Sequence, residues 1–106
     1  MSDDESPSRR AYREAREQAE LDHPLPGEDI SSRDPSDIAV WLTTYSELLR
    51  FKEAVIATAR ERSATLTEPA REEVAATDLV VLEAERARFA RRHAFWERRR
   101  LEGESG

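Results

Sequence analysis

The stretch WLTTYSELLRFKEAVIATA, residues 41–59, decides the fold class. Its apolar doublets Trp41-Leu42, Leu48-Leu49 and Val55-Ile56 recur every seven residues, and Ile38, Tyr45 and Ala59 fill the same stripe. Lys52 is the one polar member. A seven-residue apolar repeat holds one helix face against a partner along its whole length, with a left-handed supercoil. Upstream, Asp34-Pro35-Ser36-Asp37 reads as a helix start: a capping Asp, a proline at the first helical position, and an acid where a capping box places one. Downstream, SATLT at 63–67 breaks the pattern. The spacing therefore predicts a helix over 35–62.

Thr67 is suited to cap a second helix, with Glu68 and Pro69 in its first turn. That helix is predicted over 68–101, about 51 Å at 1.5 Å per residue. Gly103 is placed to stop it. Its heptad is Ala75, Leu82, Phe89 and Trp96, flanked by Leu79 and His93.

Two long helices joined by a short turn run antiparallel. One register then sets Ile56 opposite Ala75, Leu49 opposite Leu82 and Leu42 opposite Phe89. The same register sets Tyr45 opposite Arg86 and Ile38 opposite His93. Two stripes read separately meet without adjustment, as a foldable sequence requires. Trp96 falls opposite Pro35, where it would cover the linker or the N-terminal segment. Trp41, Leu48 and Val55 complete the expected seam.

Some apolar residues lie off that seam. They are Val40 and Phe51 on the first helix, and Val74, Val81 and Phe95 on the second. A two-helix seam needs a narrower face than this. The leftover residues predict a second interface, most simply a homodimer forming a four-helix bundle. The fold class expected is all-α: a coiled-coil-like antiparallel hairpin over 35–102, preceded by a mostly disordered N-terminal segment.

Within residues 1–34, MSDDESPS is polar and acidic, and RRAYREAREQAEL at 9–21 allows a short helix with only a thin apolar stripe. Residues 22–34, with two prolines, a glycine and a Ser-Ser pair, read as a linker. Residues 103–106 read as a disordered tail.

Composition narrows the function classes. The chain has 106 residues, no cysteine, and a net charge of −6. Without cysteine there are no disulfides, thiolate metal sites or Cys nucleophiles. No apolar run approaches a membrane span, and the acidic N-terminus is unlike a signal peptide. A cytoplasmic location is expected. No Gly-rich phosphate loop, no Gly-x-Ser-x-Gly elbow and no Glu-x-x-His pair occurs. His93 and Glu97 stand at i,i+4, but two ligands do not make a zinc site. Neither a catalytic residue nor a cofactor or metal site is expected. Lys52 is read as a seam lysine reaching an acid such as Glu83.

Charge is unevenly spread. Residues 1–37 carry 11 acids and 5 bases, whereas residues 86–106 carry 3 and 7. The acidic head can therefore meet the basic tail, in cis or in a partner subunit. The tail includes RARFARRHAFWERRR, residues 86–100, with seven arginines. Its Phe89, His93 and Trp96 have packing spacing. Arg88, Arg91, Arg92, Arg98 and Arg99 are left as a basic outer face for docking a protein with an acidic surface. As an alternative, the same arginines and aromatics would serve a nucleic-acid accessory factor.

Glu53, Ala57, Arg60, Ala64 and Glu68 stand at the spacing of E-x3-S-x2-R-x3-Q-x3-D, the helical motif of actinobacterial anti-sigma hairpins that bind cyclic di-GMP. Over these sixteen residues the chain is similar in part to that motif. The Glu and Arg match, the final acid is conservative, and the Ser and Gln are missing. The resemblance implies a nucleotide-responsive regulatory hairpin as a weaker alternative. The leading expectation is a non-catalytic, homo-oligomeric interaction or regulatory protein.

Overall fold

The computed structural model describes Ser6, Pro7, residues 9–11, 13 and 14, and residues 24–105. Among the described residues the chain is all-helical, with no strand. Residues 9–11, 13 and 14 are helical, and the Arg10 N–H donates to the Ser6 carbonyl at 2.9 Å. The rest of the expected 9–21 helix, with Tyr12, Ala15, Ala19 and Leu21, lies outside the described residues. So do residues 1–5 and His23.

Helix α1 spans Pro35–Ser63. It begins because Asp34, in extended backbone, accepts the Ser36 N–H at 2.8 Å and the Ser36 hydroxyl at 2.6 Å. Pro35 costs nothing there, since its missing N–H would have had no helical partner. Asp37 takes the Ser32 hydroxyl at 2.7 Å, so the first turn is tied to the preceding loop. The helix ends without a glycine. The N–H groups of Ala64, Thr65 and Leu66 fold back onto the carbonyls of Arg60, Arg62 and Ser63, and the Thr65 hydroxyl adds a bond to Arg62.

Helix α2, Glu68–Val74, is capped by Thr67 and runs without interruption into a π-helical turn at Ala75–Leu79, then into α3, Val80–Ser105. The Thr77 hydroxyl donates to the Glu73 carbonyl at 2.8 Å, four residues back. That carbonyl is the acceptor which an α-helical Thr77 N–H would use, but Thr44 makes the same bond to Val40 within regular α1, so the hydroxyl accompanies the π turn without forcing it. A π turn takes in one extra residue and rotates everything upstream of it.

This rotation corrects the expected seam. Downstream of the π turn, Phe89 and Trp96 are buried and Leu82 is half-buried. Upstream, the heptad's next member, Ala75, is exposed, and its neighbour Val74 is half-buried instead. Ala75 is therefore not a seam residue. Leu79, at the end of the π turn, is buried. The second helix also runs past its expected end: α3 continues through Gly103 to Ser105.

Helices α1 and α3 pack side by side. Arg60 pairs with Glu83 at 3.1 Å, Lys52 with Glu85 at 2.8 Å, and the Tyr45 ring lies 6.0 Å from Phe89. These contacts climb α3 while they descend α1, so the two helices run in opposite directions. The pairing departs from the expected register by an amount that grows toward the turn, from three residues at Tyr45–Phe89 to eight at Glu53–Arg86. Tyr45 meets Phe89 rather than Arg86, Lys52 reaches Glu85 rather than Glu83, and Arg86 lies 3.7 Å from Glu53.

The core is aromatic. Ile38, Tyr45, Phe89 and Trp96 form its buried cluster, and Trp96 is fully enclosed. Leu25, Trp41, Leu42, Leu48, Leu49 and Phe95 pack around it. Phe95 was expected at a second interface. Instead it meets Trp96 edge-on at 5.1 Å, with the Arg92 and Arg99 guanidiniums over its ring. Ile56 and Leu79 are buried nearer the turn, Val55 is half-buried, and His93 is half-buried on α3.

Candidate functional site: a clasped carboxylate and an open groove

The most concentrated chemistry lies where the loop before α1 returns to the helices. Leu25-Pro26-Gly27-Glu28 forms a turn closed by the Glu28 N–H donating to the Leu25 carbonyl at 2.9 Å. Gly27 has φ 84°, and proline precedes it. Proline at the second position and glycine at positive φ in the third are the requirements of a type II turn. The Glu28 side chain curls back so that Oε1 accepts the Leu25 N–H at 2.9 Å. Leu25 packs on the aromatic core.

Glu28 is thereby delivered into the space between α1 and α3, where its side chain has no exposed surface. Oε1 also accepts the Tyr45 hydroxyl at 2.5 Å. Oε2 accepts the Trp96 indole N–H at 2.6 Å and the Arg92 guanidinium at 3.0 Å. Each oxygen therefore has two donors, which matches the roughly four acceptor sites of a carboxylate.

Electrostatics follow from this geometry. Burial alone would push the Glu28 carboxyl up. The hydrogen bonds from Tyr45, Trp96, the Leu25 N–H and Arg92 outweigh it and hold the group below its usual 4.5. Tyr45 goes the other way: burial, and then its bond to the Glu28 carboxylate, push the phenol up to about 12. Burial would weaken the Arg92 charge, but its bonds to Tyr45 and Glu28 prevail and raise it. The cluster is thus an ionised pair with a neutral phenol. With both oxygens saturated and no exposed surface, Glu28 has no free lone pair for a substrate proton. It fastens residues 24–33, hereafter the strap, across α1 and α3.

Two lesser ties support it. Arg99 donates to the Ser32 carbonyl at 2.9 Å, and Arg33 lies 3.6 Å from Glu102 in an exposed pair. Asp29 closes a second turn by accepting the Ser31 N–H and hydroxyl.

The expected basic face is accordingly corrected. Arg92 is buried against Glu28, Arg99 is turned to the strap and Phe95, and Arg88 lies over the Phe89 ring at 5.2 Å. Arg91 and Arg98 are exposed. Glu97 is paired with Arg100, which also holds Glu104 at 2.7 Å. The Arg100 contact is the main cause that keeps Glu97 below its usual range. Among the described residues no cluster of His, Asp and Glu is placed to hold a metal. No helix there is long and apolar enough to cross a membrane. Glu53, Arg60 and Glu68 are not on one helix, because α1 ends at Ser63 and Glu68 opens α2.

At the other end of the molecule the surface is apolar and open. Phe51, Ala54, Val55, Thr58 and Ala59 of α1, with Leu66 and Val74, line a groove of about 460 Å³ with Arg62 and Asp78 at its margin. Phe51 is 64% exposed and Val40 is 55% exposed. Eleven residues is close to three helical turns, so these two share one face of α1. Val81 is also exposed.

Glu28 was missed by sequence reasoning, which placed it in an aperiodic linker. The signal was Leu-Pro-Gly-Glu itself: a turn tetrapeptide with a leucine and an acid at its two ends. No family model matches the chain, and neither a curated protein nor a solved structure matches it.

Proposed function

We propose that this chain is a non-catalytic interaction protein: an antiparallel helical hairpin whose Phe51 face pairs with a second copy to make a four-helix bundle. The observation that carries this reading is the open, mostly apolar groove lined by Phe51, Ala54, Val55, Thr58 and Ala59, with Phe51 exposed at its edge. Its middle positions are small, so another helix can approach closely. Exposed phenylalanine on a helix face gains about 1.5–3 kcal/mol when it is buried. A groove with one cation and one anion at its margin suits an isologous contact, in which each group of one copy can face its opposite in the other. Among the described residues neither Arg62 nor Asp78 forms an ion pair of its own.

A cytoplasmic regulatory partner with an acidic surface remains part of this proposal, met by Arg91 and Arg98. The nucleic-acid alternative draws less support, since three of its five arginines are turned to the strap or to the core aromatics. Light scattering tests the reading. The wild-type chain should show twice its 12.2 kDa mass at micromolar concentration, and Phe51→Asp should return it to a monomer with helicity intact. A monomeric wild type at 100 μM would refute it.

A further inference from the structure

We propose that Tyr45, Arg92 and Trp96 form a receptor for a carboxylate borne on a turn, and that the strap is its resident ligand. An acidic turn of a partner protein, with a leucine three residues before its acid, would take the same socket when the strap leaves.

Three observations carry this. First, the socket belongs wholly to the helices. The hydroxyl comes from α1, and the guanidinium and indole N–H come from one face of α3, four residues apart. Its three side-chain donors converge on a single carboxylate without any contribution from the strap. Second, the ligand is short. Leu25 supplies the apolar anchor on the core, Glu28 supplies the charge, and Pro26 and Gly27 hold the turn between them. A preordered four-residue turn is the size of motif that a separate peptide can reproduce, because little ordering entropy remains to be lost on binding. Third, the emptied socket keeps unmet demands. When Glu28 leaves, Arg92 loses its counter-charge and the Trp96 N–H loses its carboxylate acceptor, and a second carboxylate restores both at once. The site therefore selects strongly for a carboxylate, whichever chain provides it. The charge of Arg92 and the apolar seat of Leu25 together specify the occupant, an acidic turn rather than a neutral peptide.

The resident strap is present at high effective concentration, so a peptide competes with it only weakly. The test weakens the strap in two ways in the full-length protein. Glu28→Ala removes the resident carboxylate. Gly27→Ala leaves Glu28 in place and strains the turn, because alanine disfavours positive φ although the space beside Gly27 is open. Each variant is titrated with a synthetic peptide of residues 22–33 and followed by tryptophan emission.

Saturable binding to both variants is expected, at least tenfold tighter than to wild type. A peptide carrying Glu28→Gln should bind at least tenfold more weakly than its parent. Arg92→Met added to Gly27→Ala should abolish the preference between the two peptides. Equal binding of both peptides, or no binding to the folded Gly27→Ala protein, would overturn the proposal.

Discussion

Replacing Glu28 by Gln changes one atom and removes one charge. The side chain keeps its volume, so packing is not the variable. What changes is the balance among four donors. Arg92 loses its counter-charge while only 8% of its side chain is exposed. The new amide N–H₂ must face donors on one side, either Tyr45 or the pair Arg92 and Trp96, so at least one former acceptor site becomes a clash of donors. Removing one partner of a buried ion pair costs about 3–5 kcal/mol, against about 0–1 kcal/mol for an exposed one. The pair is enclosed, so the upper range applies, and the cost falls on whatever unit the clasp stabilises. If the strap opens as a local unit, the loss stops at the free energy of its docking and the helices survive. Urea unfolding followed separately by far-UV circular dichroism and by tryptophan emission distinguishes the two cases. In either case Trp96 should become solvent-accessible at lower urea than in wild type. Glu28→Gln combined with Arg92→Met should recover part of the loss, because the stranded charge goes as well. A Glu28→Gln protein that unfolds within 1 kcal/mol of wild type by both probes would refute the reasoning.

The same cluster sets a dependence on pH at both ends of the scale. The Glu28 carboxyl is held below its unfolded value of 4.5, so the stability it contributes is complete above that value and is lost as pH falls through the folded one. Tyr45 is raised from 10.0 to about 12, so its contribution is complete below pH 10 and is lost between pH 10 and 12. At 1.36 kcal/mol per unit that amounts to about 3 kcal/mol. Denaturant midpoints at pH 9 and 11.5 should show the loss in wild type and not in Tyr45→Phe. Deleting Ala76 removes the residue that the π turn takes in. The helix should then run α-helical from Glu68 with Val74 still facing inward, now seven residues from Leu82, and hydrogen exchange of residues 74–80 should slow. Unchanged exchange there would show that the π turn does not depend on the extra residue.

Much of the architecture could be read from periodicity. Both long helices, the cap at Asp34, the turn at 64–67 and the Phe89–Trp96 stripe follow from spacing and capping chemistry. The register could not, for a specific reason. Heptad spacing fixes which faces meet, but two such stripes can slide along each other and still meet, so spacing alone does not choose the pairing. The replacement of Ala75 by Val74 in the seam has a separate cause, the extra residue of the π turn. The trace of this was Val74, an apolar residue one position off the stripe, which the uniform helix left unexplained. The clasp was hidden for a different reason. A carboxylate in a Pro-Gly loop has no period, and its burial depends on donors more than sixty residues away. The arginines looked like an outer face because the buried anion of Arg92, Glu28, is delivered by the loop and not by a helix.

The helix pair is closed at both ends, by the short turn at 64–67 and by the strap at 24–33. These two closures differ in when they can form. The turn joins neighbours in sequence and costs little to close. The strap joins Glu28 to Arg92 and Trp96, a very long loop in an extended chain but a short one once α1 has met α3. Assembly therefore has a direction: the turn forms, the helices zip toward their free ends, and the strap locks last. Disassembly at equilibrium runs in the reverse order. The strap should open and close many times for each unfolding of the helices, so the end carrying the arginines populates two states, strapped and open, while the turn end holds one.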